Sequence, residues 1–136
     1  GGPTALPASR DGRSHRSCRL LLVEDDAVTS RIMGRLLRNV GHTVTTARTV
    51  AQALDVVSSE LDLVVSDIGL PDGSGLELMR KIHERYGLCG IALTGFGTDE
   101  DIAKSRDAGF VAHITKPVDF GRLEETIQQV AARPEC

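Results

Sequence analysis

Short runs of apolar and β-branched residues alternate along this sequence with segments whose apolar residues recur at helical spacing. A short, nearly continuous apolar run such as CRLLLV is typical of a parallel strand that is buried on both faces. Helices between such strands imply right-handed crossovers and a sheet that is covered on both sides. The predicted strands are residues 18–23, 42–47, 61–66, 89–94 and 109–115.

The segments between these runs carry helix signals. One helix is predicted over residues 27–40, before the helix-stop residue Gly41. Others are predicted after the N-cap candidate Thr49, around residues 76–82, from the acidic run 99–101 and from about Asp119. The apolar positions that suggest these helices are Val28, Ile32, Leu36 and Val40, then Val50, Leu54 and Val57, then Leu76, Leu78, Met79 and Ile82, and finally Leu123, Ile127 and Val130. The sequence therefore predicts an α/β fold of the (βα)5 type, a doubly wound parallel five-stranded sheet.

The composition fits one domain with an aliphatic core. The 136 residues are 40% hydrophobic and 26% charged, whereas aromatic residues make up only 3%. A net charge of −3 and the lack of a long basic run argue against nucleic acid as a partner of this chain. No apolar run approaches the roughly 20 residues of a membrane helix, so we expect no membrane contact by this domain.

Cysteine spacing and the ends of the chain complete the domain prediction. Cys18, Cys89 and Cys136 form no CxxC pair and no zinc pattern, which suits reduced thiols in a cytoplasmic protein. Residues 1–17 lack hydrophobic periodicity and are rich in Gly, Pro, Ser and Arg, as expected of a flexible linker or a cloning remnant. The folded domain is predicted over residues 18–132, followed by a tail at 133–136.

Polar residues that can carry chemistry follow four of the predicted strands. Glu24 and Asp25 come directly after the first strand, Asp67 ends the third, Thr94 ends the fourth, and Lys116 follows the fifth. In an open parallel sheet, ligands bind outside the carboxyl ends of the strands. We therefore expect these side chains to meet at one edge of the sheet.

This set of side chains suits phosphoryl transfer. Three crowded carboxylates repel one another, and a hard divalent cation such as Mg²⁺ removes that conflict because it prefers oxygen ligands. A lysine supplies a compensating charge, and a threonine hydroxyl supplies a donor to a phosphoryl oxygen. Asp67 is the best candidate nucleophile, because it ends the central strand and the other groups can surround it.

Several stretches resemble the response-regulator receiver domains of two-component systems, over residues 19–131. They are LLVEDD (21–26), LVVSDIGLPDGSGLEL (63–78), IALTG (91–95), AGF (108–110) and ITKPVD (114–119). Their order and spacing make chance agreement improbable. The resemblance implies a flavodoxin-like topology with strand order 2-1-3-4-5, and a phosphoryl group that passes from a phosphohistidine to Asp67.

The resemblance also implies roles for individual residues. Glu24, Asp25 and Asp67, with the backbone carbonyl of Gly69, correspond to the ligands of Mg²⁺ or Mn²⁺. Thr94 corresponds to the family's switch hydroxyl and Lys116 to the family's invariant lysine. Lys116–Pro117 is expected to be a cis peptide. The implied partners are a histidine kinase or a histidine phosphotransfer domain, and we expect a monomer or weak dimer.

The sequence departs from the receiver pattern at two places. His113 stands where the family usually has a switch Tyr or Phe, which puts in doubt the usual aromatic switch of the face formed by helix 4, strand 5 and helix 5. The loop after Asp67 reads LPDGSG, where many relatives begin with Met-Pro and carry a second acidic residue. Elsewhere, His15, His42 and His83 lack obvious partners and are expected at the surface, and Gly95 and Gly97 indicate a mobile loop.

Other functions fit the sequence less well. A small phosphohydrolase of the haloacid-dehalogenase type also uses an Asp nucleophile, but at the end of the first strand in a DxD arrangement that VEDDA does not provide. A flavin-binding domain would need a Ser/Thr-rich phosphate loop there, and a degenerate receiver would lack part of the site.

The segments IALTGFG and HITKPVD resemble those of receivers at the C-terminal end of hybrid sensor histidine kinases. A stand-alone regulator is the alternative. The domain itself would catalyse only its own phosphorylation and dephosphorylation.

Overall fold

The computed structural model describes residues 15–95 and 99–133. Predictions for residues 1–14, for the loop at 96–98 and for the tail at 134–136 lie outside the described residues. The elements are β1 Arg19–Val23, α1 Ala27–Asn39, β2 Thr43–Ala47, α2 Val50–Val56, β3 Leu63–Asp67, β4 Gly69–Leu70, β5 Gly73–Ser74, α3 Gly75–Tyr86, β6 Cys89–Thr94, α4 Asp99–Ala108, β7 Phe110–Thr115 and α5 Phe120–Ala131.

The main sheet has five parallel strands in the order β2-β1-β3-β6-β7. Without the short antiparallel pair β4–β5, this is the order 2-1-3-4-5, so the predicted fold class and topology are confirmed. The carboxyl ends of β1, β3, β6 and β7 therefore meet along one edge. Among the described residues, no helix is long and apolar enough to span a membrane.

Two aliphatic layers cover the sheet because side chains alternate between the faces of each strand. Leu20 and Leu22 of β1 belong to the layer that α1 and α5 cover, whereas Leu21 and Val23 belong to the layer under α2 and α3. Phe110 is the large aromatic side chain within the second layer. The three central strands β1, β3 and β6 are buried on both faces, which explains why they read as nearly continuous apolar runs.

Helix α1 forms as predicted, but the apolar residues that suggested it do not face the core. Val28 and Ile32 are 55% and 54% exposed, and Leu36 is also exposed. The buried face instead consists of Ser30, Met33, Gly34 and Leu37, none of which is branched at Cβ. The exposed stripe of α1 is thus apolar surface that the fold itself does not use.

The prediction that His42 is a surface residue without partners is wrong. Its side chain is fully buried, Nδ1 accepts the backbone N–H of Cys18 (3.0 Å), and Nε2 lies 2.7 Å from Glu124 Oε1 on α5. His15 contacts the other oxygen of Glu124 (3.0 Å), and His83 Nδ1 lies 2.9 Å from the carbonyl of Leu88. The partners are far away in sequence or are backbone groups, so no local pattern indicates them.

Candidate functional site

The loop after β1 presents three consecutive acidic residues in different environments. The N–H of Glu24 donates to the carbonyl of Ala47 (3.0 Å), which continues the strand pairing by one residue and buries the Glu24 side chain. Asp26 then caps α1 by accepting the N–H of Thr29 (2.8 Å), as residues of its type do at helix N-termini. Asp25 lies between these two fixed points with its side chain exposed.

Asp67 is the last residue of β3 and is 2% exposed. The chain after it turns tightly, because the N–H of Ile68 donates to the carbonyl of Leu93 (3.2 Å) and the N–H of Gly75 donates to the carbonyl of Ile68 (2.6 Å). A Cβ atom on Gly75 would overlap the backbone carbonyl of Asp67, so the turn requires glycine at that position. The short strands β4 and β5 close this turn into a hairpin that begins at Gly69.

Lys116 follows β7 and reaches both buried carboxylates. Its backbone N–H donates to the carbonyl of Thr94 (2.7 Å), which aligns the ends of β6 and β7. Its ammonium lies 2.7 Å from Asp67 Oδ1 and 3.3 Å from Glu24 Oε1. The peptide that follows, Lys116–Pro117, is cis, as the sequence resemblance implies.

The buried carboxylates and the lysine shift each other's protonation. Burial, with the charge of Glu24, raises the pKa of Asp67 to about 7, although the adjacent Lys116 ammonium acts in the opposite direction. Burial lowers the pKa of Lys116, but the neighbouring Asp67 and Glu24 outweigh burial and raise the pKa above its ordinary value. The site therefore holds more negative charge than one lysine offsets.

The carboxylates fit a hard divalent cation. Oxygen atoms of Glu24, Asp25 and Asp67 all lie within 4.8 Å of one another. Within the described part of the chain, neither buried oxygen of Asp67 accepts a well-directed hydrogen bond, and only Oδ1 has the ion pair with Lys116. A buried carboxylate oxygen without a donor carries a large desolvation cost, which a cation ligated by oxygen removes. This donor set suits Mg²⁺ or Mn²⁺ rather than a metal that prefers thiolate or imidazole.

These observations agree with the family comparison, in which residues 20–128 match the response regulator receiver domain. The chain belongs to this family. This receiver domain is 34% identical over 116 residues to the transcriptional regulatory protein GlrR of Escherichia coli (strain K12), a match that covers 84% of this chain and 26% of GlrR. It is 33% identical over 131 residues to the probable histidine kinase 2 of Oryza sativa subsp. indica, with 82% of this chain and 12% of that protein covered. The chain thus spans about a quarter or less of the length of these two curated relatives.

A solved structure gives the same picture of the receiver fold. The crystal structure of a CheY-like response regulator receiver domain protein from Methanospirillum hungatei JF-1 superposes with a TM-score of 0.78 at 34% identity. That match covers 85% of this chain and 94% of the other.

A cavity of about 400 Å³ extends from the acidic residues of this receiver domain toward α4 and β7. Its lining includes Asp67, Gly69, Thr94, His113 and Lys116, so the structure brings the predicted site residues to one place. His113 is half-buried on β7, opposite Ala92 of β6. Glu24 and Asp67 contact Lys116 directly, whereas Thr94 and His113 lie along the cavity that leads away from them.

Sequence reasoning missed two residues beside the receiver site. Arg48, after β2, donates to the backbone carbonyl of Asp25, and Asp72, in the β4–β5 turn, accepts two N–H groups of α2. The signal available for Asp72 is its position in the PDGSG turn, where an acidic residue suits a cap. For Arg48, no local pattern predicts that it reaches back to the preceding loop.

Proposed function

We propose that this receiver domain accepts a phosphoryl group from a phosphohistidine onto Asp67, with Mg²⁺ or Mn²⁺ at Glu24, Asp25, Asp67 and the carbonyl of Gly69. The observation that carries the proposal is the state of the Asp67 carboxylate. It is buried at a strand end, it is paired with Lys116 at one oxygen, and it has two further carboxylates within 4.8 Å.

In the proposed reaction, this chain supplies the nucleophile and the donor phosphohistidine supplies both the phosphoryl group and the leaving group. A carboxylate oxygen of Asp67 forms a bond to phosphorus, the P–N bond to the donor imidazole breaks, and the bonding pair returns to the imidazole nitrogen. The product is an acyl phosphate on Asp67. A divalent cation, when bound, offsets the charge of the phosphoryl oxygens.

Lys116 and Thr94 would contact the phosphoryl group rather than the donor. The Lys116 ammonium already lies 2.7 Å from Asp67 Oδ1, so it is placed to pair with a phosphoryl oxygen once the carboxylate charge is lost. The Thr94 side chain lines the same cavity as Asp67, and a charged acceptor there strengthens its hydrogen bond. Movement of Thr94 would alter the cavity next to His113 and so reshape the face of α4, β7 and α5.

The exposed apolar stripe of α1 favours a protein as the donor of the phosphoryl group. Ile32 and Leu36 line a groove of about 420 Å³ together with Val118 and Phe120, and the same groove includes Glu24 and Lys116. An apolar surface that runs up to a reactive carboxylate suits a partner that covers the site while it delivers the phosphoryl group. A histidine kinase or a histidine phosphotransfer domain is such a partner.

The parent protein is, in this proposal, a hybrid sensor histidine kinase with a cytoplasmic receiver. The supporting observation is the match to a probable histidine kinase of rice, in which a receiver-like stretch covers 12% of a longer chain. A stand-alone monomeric or weakly dimeric regulator is the alternative. The natural reading frame upstream of residue 1 distinguishes these contexts, since a frame that starts near residue 18 would exclude the hybrid kinase.

Phosphoramidate tests the proposed chemistry because it contains the P–N bond of a phosphohistidine. We expect the protein with Mg²⁺ to show a new acyl phosphate signal in ³¹P NMR, and we expect the signal to be absent with EDTA. A phosphoryl signal of equal size in EDTA would contradict the role of the metal. No signal under either condition would contradict the proposed function.

A further inference from the structure

The two loops that carry the candidate metal ligands contact the same short segment. Arg48 and Thr49 join β2 to α2, and Val50 and Ala51 are the first two residues of α2. Within this stretch, Arg48 contacts the loop after β1 at Asp25, and residues 50 and 51 contact the loop after β3 at Asp72. We call residues 48–51 the brace. The hydrogen bonds of the brace tie both loops to the start of α2, in addition to the β4–β5 pairing within the loop after β3.

Arg48 holds the loop after β1. Its Nε and one terminal nitrogen both donate to the backbone carbonyl of Asp25, at 3.3 and 3.2 Å. The guanidinium thereby fixes the backbone of Asp25, whose side chain belongs to the acidic cluster. The N–H of Arg48 in turn donates to Gln52 Oε1 (2.8 Å), which connects the brace to the first turn of α2.

Asp72 holds the loop after β3. Its two carboxylate oxygens accept the N–H groups of Val50 (2.8 Å) and Ala51 (3.1 Å) at the N-terminus of α2. These bonds lower the pKa of Asp72, so the carboxylate is charged at neutral pH. Asp72 lies in the turn of the β4–β5 hairpin, whose first residue is Gly69. The contact therefore fixes the hairpin that begins at the candidate carbonyl ligand.

We propose that Arg48 and Asp72 are positioning residues that hold the Asp25 and Gly69 ligands of the metal site in register through the brace. This inference rests on the proposed function, because it assigns a purpose to the same site. The physical reason is preorganisation. The acidic side chains repel one another, so loops that were free to separate would have to be brought back together, at an entropic cost, whenever a cation binds.

Two other residues make equivalent contacts far from the site and serve as matched controls. Arg38 donates to the backbone carbonyl of Val44 (3.0 Å), as Arg48 does to Asp25. Asp62 accepts the N–H of Arg19 (2.7 Å) at the opposite end of β1, as Asp72 does at α2. Alanine at Arg38 or Asp62 thus removes a comparable hydrogen bond without touching either ligand loop.

The test is a Mg²⁺ titration of the unphosphorylated protein, followed through backbone amide shifts in NMR. In about 1 M KCl the Debye length is only about 3 Å, so long-range charge effects of the substitutions are suppressed. We expect Arg48→Ala and Asp72→Ala to raise the dissociation constant for Mg²⁺ by about 10-fold, the lower end for residues that orient metal ligands. Arg38→Ala and Asp62→Ala should leave the constant within a factor of about two.

Conservative variants separate positioning from charge and from folding. Asp72→Asn keeps an oxygen acceptor for α2, so it should regain part of the affinity that Asp72→Ala loses, whereas a pure charge effect would make the two variants equal. If Arg48 acted only through its charge, its removal at low salt would strengthen Mg²⁺ binding, which would overturn the proposal. Thermal melts by circular dichroism identify any variant that fails to fold, and Arg48→Lys and Asp72→Asn then carry the test.

The outcomes for the brace and for the site are distinguishable. If the wild-type protein binds Mg²⁺ and the brace variants bind it as the controls do, the brace proposal fails and the proposed function stands. If the wild-type protein does not bind Mg²⁺ at all, the proposed metal site fails, and the brace proposal fails with it.

Discussion

The Lys116 ammonium lies 2.7 Å from Asp67 Oδ1, so the lysine that follows β7 is paired with the carboxylate that ends β3. Between these strands lies β6, whose terminal Thr94 accepts the N–H of Lys116. The sheet thus sets the distance between the two charges before any ligand arrives. Because Glu24 shares the same ammonium at 3.3 Å, the negative charge of Asp67 is only partly offset, and the first two predictions depend on this imbalance.

The first prediction concerns the acidic ligands. The double variant Glu24→Gln, Asp25→Asn should raise the dissociation constant for Mg²⁺ at least about 10-fold, because two of the oxygen ligands lose their charge. It should not unfold the protein, since Gln keeps an acceptor for the N–H of Asp26 that Glu24 now binds (3.0 Å). Titration by NMR and a thermal melt with EDTA measure both effects. A large loss of stability without metal would show that the carboxylates have a structural role instead.

The second prediction concerns pH. Asp67 has a pKa of about 7 in the folded protein and about 3.9 in an unfolded chain. Between these values the folded state keeps a proton that the unfolded state has released. The free energy of unfolding of the metal-free protein should therefore fall as pH rises through this window. Urea unfolding with EDTA, compared with Asp67→Asn, isolates the contribution, because the variant should lack this slope. Parallel pH profiles for the two proteins would exclude it.

The fold was predictable from sequence because the central strands of the sheet are buried on both faces. Such strands are short, nearly continuous apolar runs, whereas the helices are longer segments with apolar residues at helical spacing. The site was predictable in outline because Glu24, Asp67 and Lys116 each stand at the carboxyl end of a strand, and parallel strands bring such residues to one edge. The direction that a helix faces was harder to predict. In α1, the branched residues Val28 and Ile32 suggested the buried side, but Met33 and Leu37 occupy it.

Two long-range polar contacts outside the acidic cluster were not predictable from sequence. His42 pairs with Glu124, 82 residues later, and Arg48 reaches a carbonyl 23 residues earlier. Neither contact leaves a periodic trace, because each depends on how finished elements pack rather than on local propensity. In this receiver domain, such contacts are recognised only from the structure.

The third prediction concerns the buried pair of His42 and Glu124. His42→Ala leaves the N–H of Cys18 and a carboxylate oxygen of Glu124 without their partner, and should destabilise the protein by about 2–3 kcal/mol. Thr126→Ala, which removes an exposed hydroxyl contact on α5, should change stability by no more than about 0.5 kcal/mol. Urea unfolding compares the two, and equal effects would show that the buried pair contributes nothing specific.

The same pair should not bind a metal, although His15, His42 and Glu124 place ligand atoms within 4.8 Å of one another. His42 Nδ1 accepts the N–H of Cys18, so in the neutral ring the proton is on Nε2, the atom that faces Glu124. Added Zn²⁺ should therefore leave the melting temperature unchanged. A rise that His42→Ala abolishes would contradict this assignment.

The fourth prediction concerns His113. Phosphorylation should shift NMR signals at residues 94 and 99–114 as well as around Asp67, because Thr94 and His113 line the same cavity as the acceptor. An imidazole is smaller than a phenol ring and fills less of this cavity, so we expect the response on this face to be weak. His113→Tyr should make the response larger. Shifts confined to the acidic residues, with no response of His113, would exclude coupling to this face.

The central claim is that Asp67 is the phosphoacceptor, and intact-mass spectrometry after incubation with acetyl phosphate and Mg²⁺ tests it most directly. We predict that the wild-type protein gains one acid-labile phosphoryl group and that Asp67→Asn gains none, because an amide is a poor nucleophile. Asp62→Ala, which alters a carboxylate at the other end of the sheet, should be labelled as the wild type is. Equal labelling of wild type and Asp67→Asn would contradict the account.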